Sequence, residues 1–411
     1  LQHSINPLHM TFSQRTNWHR QQNKLTELLD SLRKSGKDVL DLTVSNPTEC
    51  GFIYPEKEIL SSFENHSSMV YDPNSRGLLG ARQSVSEYYK QKNISVDPSN
   101  IFLTASTSEA YSTLFRLLCN AGETVLVPKP SYPLFEYLAQ INDVELQHYD
   151  LHYDGEWHVD IESFADCITE SLKAIVIVNP HNPTGMFLKK DEYSAIKEFA
   201  LKYNLALIVD EVFIDYAFED DESRISSTAN EDDVLTFTLN GISKMVGLPQ
   251  MKLGWLVVSG ESLAVREATS RLEIICDTFL SVNTPVQVAL PKLLTIGKNI
   301  QNQIRNRNKS NYATLLTTHH SHLTSQGSPL LSEGGWYGII RVPRIKSDEE
   351  WALQLLEKKG VYVYPGYFFD FLYEGYLVVS LLVENSIFQK AVSEIVDYVS
   401  AAQPTNTPSV R

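Results

Sequence analysis

The sequence predicts an α/β protein: a large domain of three layers on a mainly parallel sheet, with a smaller α+β domain. Three observations predict it. Short runs made wholly of apolar residues, at 174–178 and 205–209, alternate with helical patterns, which marks strands buried on both faces. The alternation continues from about Ile101 to Val258, as a doubly covered sheet requires. Beyond Gly260 the texture changes to long helices, then to separated strands and a last helix.

At 411 residues and 43% hydrophobic content the chain can build two sizeable cores. The net charge is −15, with no basic run of five or more, so neither nucleic acid nor an anionic membrane is expected as a partner. No window of 18 apolar residues is present, so no bilayer-spanning helix is expected. Cys50, Cys119, Cys167 and Cys276 are scattered without CxxC spacing. That pattern points to a reducing cytoplasm and away from a disulfide frame or a zinc site.

Taken in order, a polar arm fills residues 1–23 and a helix is expected over 24–35. A short strand at 41–44 runs into the turn Ser45-Asn46-Pro47-Thr48, and residues 71–77 form a loop before a helix from Leu79. Strands are expected at 101–103, 124–127, 174–178, 205–209, 233–238 and 255–258, with helices over 107–119, from about Ser131, and over 191–203. Helices then run to about Ser321, where His319, His320 and His322 read as a solvated helix end. No carboxylate or cysteine stands at ligand spacing there, so no metal is expected. Strands follow at 336–342, 361–364 and 376–380. Ser347 with Glu350 makes a capping box opening a helix to about Lys359. The last helix spans 387–401, and the Pro- and Thr-rich tail is expected to be disordered. The expected division is 1–48 for an arm and part of the small domain, 49–299 for the large domain, 300–401 for the small one and 402–411 for the tail.

Ligands of open α/β sheets bind beyond the carboxyl ends of the strands, and four of these ends carry polar groups. Thr107 and Ser108 open a helix, where hydroxyls and free N–H groups suit a phosphate; plain N-capping would use the same residues. Asn179-Pro180-His181-Asn182-Pro183-Thr184-Gly185 is a stiff loop that aims Asn182. Asp210, with Glu211, ends a buried strand, and a carboxylate there needs a partner such as a protonated ring nitrogen. Lys244, in Asn240-Gly241-Ile242-Ser243-Lys244, is either a solvated strand-end lysine or a desolvated Schiff-base lysine.

Asn182-Pro183-Thr184-Gly185, Asp210-Glu211 and Ser243-Lys244, in this order and spacing, resemble the fold-type I pyridoxal-phosphate enzymes of the class I/II aminotransferase family. The resemblance runs from about Leu42 to Ser380. It implies an aspartate aminotransferase-like fold, pyridoxal 5'-phosphate as cofactor, and transfer of an amino group between an amino acid or amine and a keto acid. In that family's pattern Lys244 would bond the cofactor and shuttle the substrate's Cα proton. Asp210 would hold the ring-nitrogen proton, Asn182 would donate to the phenolic oxygen, and Tyr132 would stack on the ring. Thr107 and Ser108 would bind the phosphate, and Tyr71 would reach the phosphate of a second subunit, which implies a homodimer.

The departures from that pattern matter. Lys252 stands where the family has a phosphate-binding arginine, a point charge in place of a fork. Ser106 replaces a glycine, Gly241 a frequent serine, and Phe213 the tyrosine that would be a second donor to the phenolic oxygen. Val378 stands at the arginine that clamps the substrate carboxylate, leaving Arg15, Arg20 and Arg341 as candidate clamps. A lyase, racemase or decarboxylase on the same scaffold is the alternative activity. A cofactor-binding regulator is disfavoured, because no basic DNA-binding domain precedes the core.

Overall fold

The computed structural model describes residues 12–18, 21–280, 282–320 and 328–402, without the side chains of His319 and His320. Arg20, His322 and the expected tail from Gln403 lie outside the described residues. Along the chain run α1 (Lys24–Lys34), β1 (Leu40–Asp41), α2 (Glu56–Ser61), α3 (Leu79–Lys90), β2 (Ile101–Thr104), α4 (Thr107–Leu118), β3 (Thr124–Lys129), α5 (Leu134–Ile141), β4 (Glu145–Tyr153) and β5 (Trp157–Val159). There follow β6 (Leu172–Val178), α6 (Lys190–Tyr203), β7 (Ala206–Asp210), β8 (Thr236–Gly241), the one-turn α7 (Ile242–Met245), β9 (Gly254–Ser259), α8 (Ser262–Phe279) and α9 (Thr284–His320). The chain closes with β10 (Ser328–Pro329), β11 (Tyr337–Arg341), α10 (Asp348–Lys359), β12 (Val361–Tyr362), β13 (Tyr364–Pro365), β14 (Tyr376–Ser380) and α11 (Asn385–Ala401).

Eight strands form the large sheet in the order β2-β9-β8-β7-β6-β3-β4-β5. β3, β4, β6, β7 and β8 pair in parallel, while β9 and β5 run antiparallel to their neighbours. Period-two alternation decides what each face buries. Leu126, Ile175, Ile177, Leu207 and Val209 pack toward α3, α6 and α9. Val125, Val127, Ala174, Val176, Ala206 and Ile208 pack toward α4, α5 and α8. Both faces are therefore apolar, which is why these strands read as continuous hydrophobic runs. Each such valine, leucine or isoleucine side chain, fully buried, contributes about 1.5–3 kcal/mol.

The second sheet is antiparallel, in the order β10-β11-β14-β13. Tyr337, Ile339 and Val378 face the large core. Ile340, Leu377 and Val379 face a separate core completed by Leu25 and Leu29 of α1, Trp351 of α10 and Ile395 of α11. The N-terminal segment joins it through β1, which pairs in parallel with β12. Helix α9 serves both cores: Leu290, Leu293, Ile300 and Ile304 belong to the first, Tyr312 and Leu315 to the second.

Four readings of the sequence need correction. The strand expected at 41–44 stops at Asp41, whose Oδ1 accepts from Thr43 N and Thr43 Oγ1, a local turn that ends the pairing. The strand expected at 361–364 is two short pieces on different sheets. The lysine strand starts at Thr236 rather than Asp233, because its register on β7 pairs Leu207 with Thr236. The unexpected β4 and β5 extend the sheet at one edge, where half-exposed polar residues such as His148 and Asp150 hide the strand pattern.

Candidate active site

β6, β7 and β8 are parallel, so Val178, Asp210 and Gly241 finish at one edge of the sheet. The first turn of α4 lies beside them. Together they wall a cavity of about 240 Å3, which Thr107, Ser108, Tyr132, Asn182, Asp210, Phe213 and Lys244 all line. Two glycines let the strands close behind it: a Cβ on Gly241 would stand 2.9 Å from Gly254 Cα.

Lys244 sits on α7, the single turn that follows β8. Burial pushes its amine down to about 8, and the charge of Asp210 opposes the shift only in part. Among the described residues no carboxylate forms an ion pair with it. Its Nζ instead faces the ring of Trp336 at 4.8 Å and that of Phe213 at 6.0 Å. The turn is pinned from behind by Tyr216, whose hydroxyl donates to Lys244 O at 2.6 Å.

Asp210 is pushed up to about 6 by burial, and hydrogen bonds hold it from rising further. Val212 N donates to its Oδ1 at 3.1 Å and the hydroxyl of Tyr111, on α4, donates to Oδ2 at 3.2 Å. It therefore stays mainly ionised at neutral pH. Asn182 follows a cis Asn-Pro step and precedes another at Pro183. Its side-chain Oδ1 is buried in the wall without a hydrogen-bond partner, a state native proteins rarely leave without a ligand or water to satisfy it.

The N-cap of α4 is Ser106: its Oγ accepts from Glu109 N at 3.1 Å, while the Glu109 carboxylate accepts from Ala105 N at 2.6 Å. With Ser106 as the cap, capping does not need Thr107 or Ser108. Their hydroxyls and that of Ser243 share the cavity with the start of the helix.

Two expected site residues, Lys252 and Tyr71, of which Tyr71 is expected to serve a second subunit, do not line this cavity. Lys252 is exposed on a left-handed turn at φ 53° and does not line the cavity. Tyr71 is 77% exposed and borders a separate small cleft with Asp72 and Asn74. Val378 is fully buried in β14. Neither described candidate clamp reaches the cavity. Arg15 forms a two-pronged pair with Asp143, and Arg341 Nη2 donates to Ser328 Oγ at 3.4 Å. Beside Arg15, Trp18 donates to Gln140 and packs edge-on against Tyr137, so the arm lies along α5.

Tyr111, Tyr216, Trp336, Tyr337 and Ser45 were not identified from the sequence. The glycine pair Gly334-Gly335 just ahead of Trp336 is the one available signal. A Cβ on Gly334 would stand 2.4 Å from Tyr216 O, so the aromatic pair is brought against the lysine turn by a contact only glycine permits.

Residues 37–395 match the family model of aminotransferase class I and II. The chain is a class I/II aminotransferase. This aminotransferase is 27% identical over 378 residues to glutamate-pyruvate aminotransferase AlaA of Haemophilus influenzae, which covers 90% of this chain and 92% of that protein. Its fold is that of an Escherichia coli aminotransferase, with a TM-score of 0.81, 24% identity and coverage of 95% and 98%. The same holds for aspartate aminotransferase of Thermotoga maritima, with a TM-score of 0.77, 22% identity and coverage of 92% and 97%. The family's cofactor is pyridoxal phosphate, and the residues present fit it: a desolvated amine, an ionised carboxylate at a buried strand end, the amide of Asn182 in the cavity wall, and the hydroxyls of Thr107, Ser108 and Ser243 beside the start of α4.

Proposed function

We propose that the cavity binds pyridoxal 5'-phosphate, and that the enzyme uses it to move an amino group between an amino acid and a keto acid. The observation that carries this reading is Lys244: an amine with its pKa lowered to about 8 by burial, unpaired among the described residues, and facing the same cavity as Asp210. Bound there, the cofactor would draw into its ring the electrons released at the amino-bearing carbon. Lys244 Nζ would hold the cofactor and would move the proton at the substrate's Cα. Asp210 holds a proton at the ring nitrogen. Asn182 binds at the phenolic oxygen, and Tyr132 lies against the ring face. Thr107, Ser108, Ser243 and the N-terminus of α4 hold the phosphate. Lys252, exposed and not among the lining residues, would add long-range charge. The relative's name, glutamate-pyruvate aminotransferase, supports an amino acid and keto acid pair as substrates.

We further propose a homodimer. Met69, Val70 and Tyr71 form a consecutive run that is 86%, 62% and 77% exposed, an arrangement that a second subunit would cover. Division into a large and a small domain is also proposed, with the boundary near residue 300, inside α9.

The reading is tested by borohydride reduction of the purified holoenzyme followed by peptide mass spectrometry, and by single-turnover spectra with an amino acid. A pyridoxyl adduct on the Lys244 peptide, and conversion of the cofactor to its amine form, support it. An adduct on another lysine, or a cofactor that always returns unchanged, overturns it.

A further inference from the structure

A second cavity of about 310 Å3 opens directly off the first. The two share Ser45, Tyr132, Leu134 and Tyr337 as a common wall. Its floor is a row of aromatic rings in contact: Tyr337 lies 6.1 Å from Phe369, Phe369 5.8 Å from Tyr364, and Tyr364 6.0 Å from Phe368. The row is built rather than incidental. Phe368 and Phe369 ride on a single helical turn, Gly366–Phe369, and the backbone of that turn is tied to the cofactor side by Ser131 N donating to Phe369 O at 2.8 Å. At the turn's start, a Cβ on Gly366 would stand 2.6 Å from Asp348 Oδ2, so the loop can approach α10 only with glycine there.

Among the described residues, those lining this chamber carry no charge. In the adjoining cavity the charged side chains among the described residues are Asp210 and Lys244, both proposed to serve the cofactor. An acidic substrate side chain would enter an aromatic box without a cation to meet it, a costly arrangement. A methyl group would leave the box unfilled. Its volume lies at the low end of small-molecule pockets, about 300–1,000 Å3, and rings prefer the edge-to-face contacts this row offers.

We propose that the amino substrate this enzyme prefers carries a large, uncharged aromatic side chain, received by the chamber of Tyr337, Tyr364, Phe368 and Phe369. The proposal rests on the aminotransferase reading above and specifies its substrate class. These four are specificity residues: they touch the substrate's far end, not the reacting carbon.

The test uses holoenzyme and compares half-reaction kcat/KM for phenylalanine, alanine and aspartate, with calorimetric binding of 3-phenylpropionate, an unreactive analogue. The expected result is a value for phenylalanine at least tenfold above both others. In Phe368→Ala the phenylalanine value and the 3-phenylpropionate affinity should each fall about tenfold, since loss of one methylene-sized contact already costs that much, while the alanine value holds. If that variant does not fold, Tyr364→Leu is expected to show the same split. Alanine or aspartate turned over as well as phenylalanine, or phenylalanine turnover indifferent to both variants, overturns the proposal. If no donor supports a half-reaction, the aminotransferase reading has failed, and the analogue decides the chamber: binding weakened by Phe368→Ala upholds it, and no binding overturns it.

Discussion

The hydroxyl of Tyr111 donates to Oδ2 of Asp210 at 3.2 Å, joining the helix that starts the candidate phosphate site to the strand that ends at the cavity. A hydrogen bond to the charged form of a carboxylate favours that form. Tyr111→Phe should therefore raise the pKa of Asp210, already lifted to about 6 by burial. The acid limb of kcat/KM should move to higher pH, and cofactor loss on dialysis near pH 6 should quicken. An acid limb that stays in place or moves down contradicts this role.

Lys244 lowers the stability of the cofactor-free protein. Its folded pKa, about 8, lies below the ordinary 10.5, so between those values the unfolded chain binds the extra proton and stability rises with pH. The full difference corresponds to roughly 3 kcal/mol. Lys244→Met should make the apoprotein more stable by up to that amount below pH 8, with the gap closing toward pH 10.5. Denaturant unfolding of both apoproteins at pH 7 and pH 10 measures it. A variant no more stable than the parent at pH 7 would show the amine is not desolvated.

Phe213 packs edge-on against Trp336 at 5.3 Å and lines the cavity beside Lys244. Phe213→Tyr would add a hydroxyl near the phenolic oxygen of the bound cofactor, favouring its ionised form. The pH midpoint of the holoenzyme's visible absorbance should then shift downward. A midpoint that rises or does not move counts against Asn182 being the sole side-chain donor there.

Met69→Glu places a charge in the exposed apolar run beside Tyr71. If that run is covered by a second subunit, the substitution should shift sedimentation toward the monomer and cost most of the activity. An unchanged dimer places the interface elsewhere.

How much of this was legible in the sequence depended on distance along the chain. Lys244, Asp210 and Asn182 announce themselves locally, each at the end of an apolar run that can only be a covered strand. Tyr111 and Tyr216 do not. Each is an aromatic on an apolar face, and what sets it apart is a partner 99 or 28 residues away. Lys252 has the spacing from Lys244 that the pattern asks for, yet it stands exposed on a left-handed turn at φ 53° and does not line the cavity, which spacing alone does not reveal. β4 escaped notice because only one face of that outer strand is buried, leaving its polar residues to dominate the pattern.

Helix α9 runs unbroken for 37 residues, about 55 Å at 1.5 Å per residue, with one end rooted in each hydrophobic core. A rod shared in this way couples the fates of the two halves. Loss of either core strips one length of α9 of its packing, and a helix held mainly by tertiary contacts does not survive such exposure. The two sheets, though they share no strand, should accordingly absorb heat in one calorimetric transition rather than two, with α9 acting as the thermodynamic link.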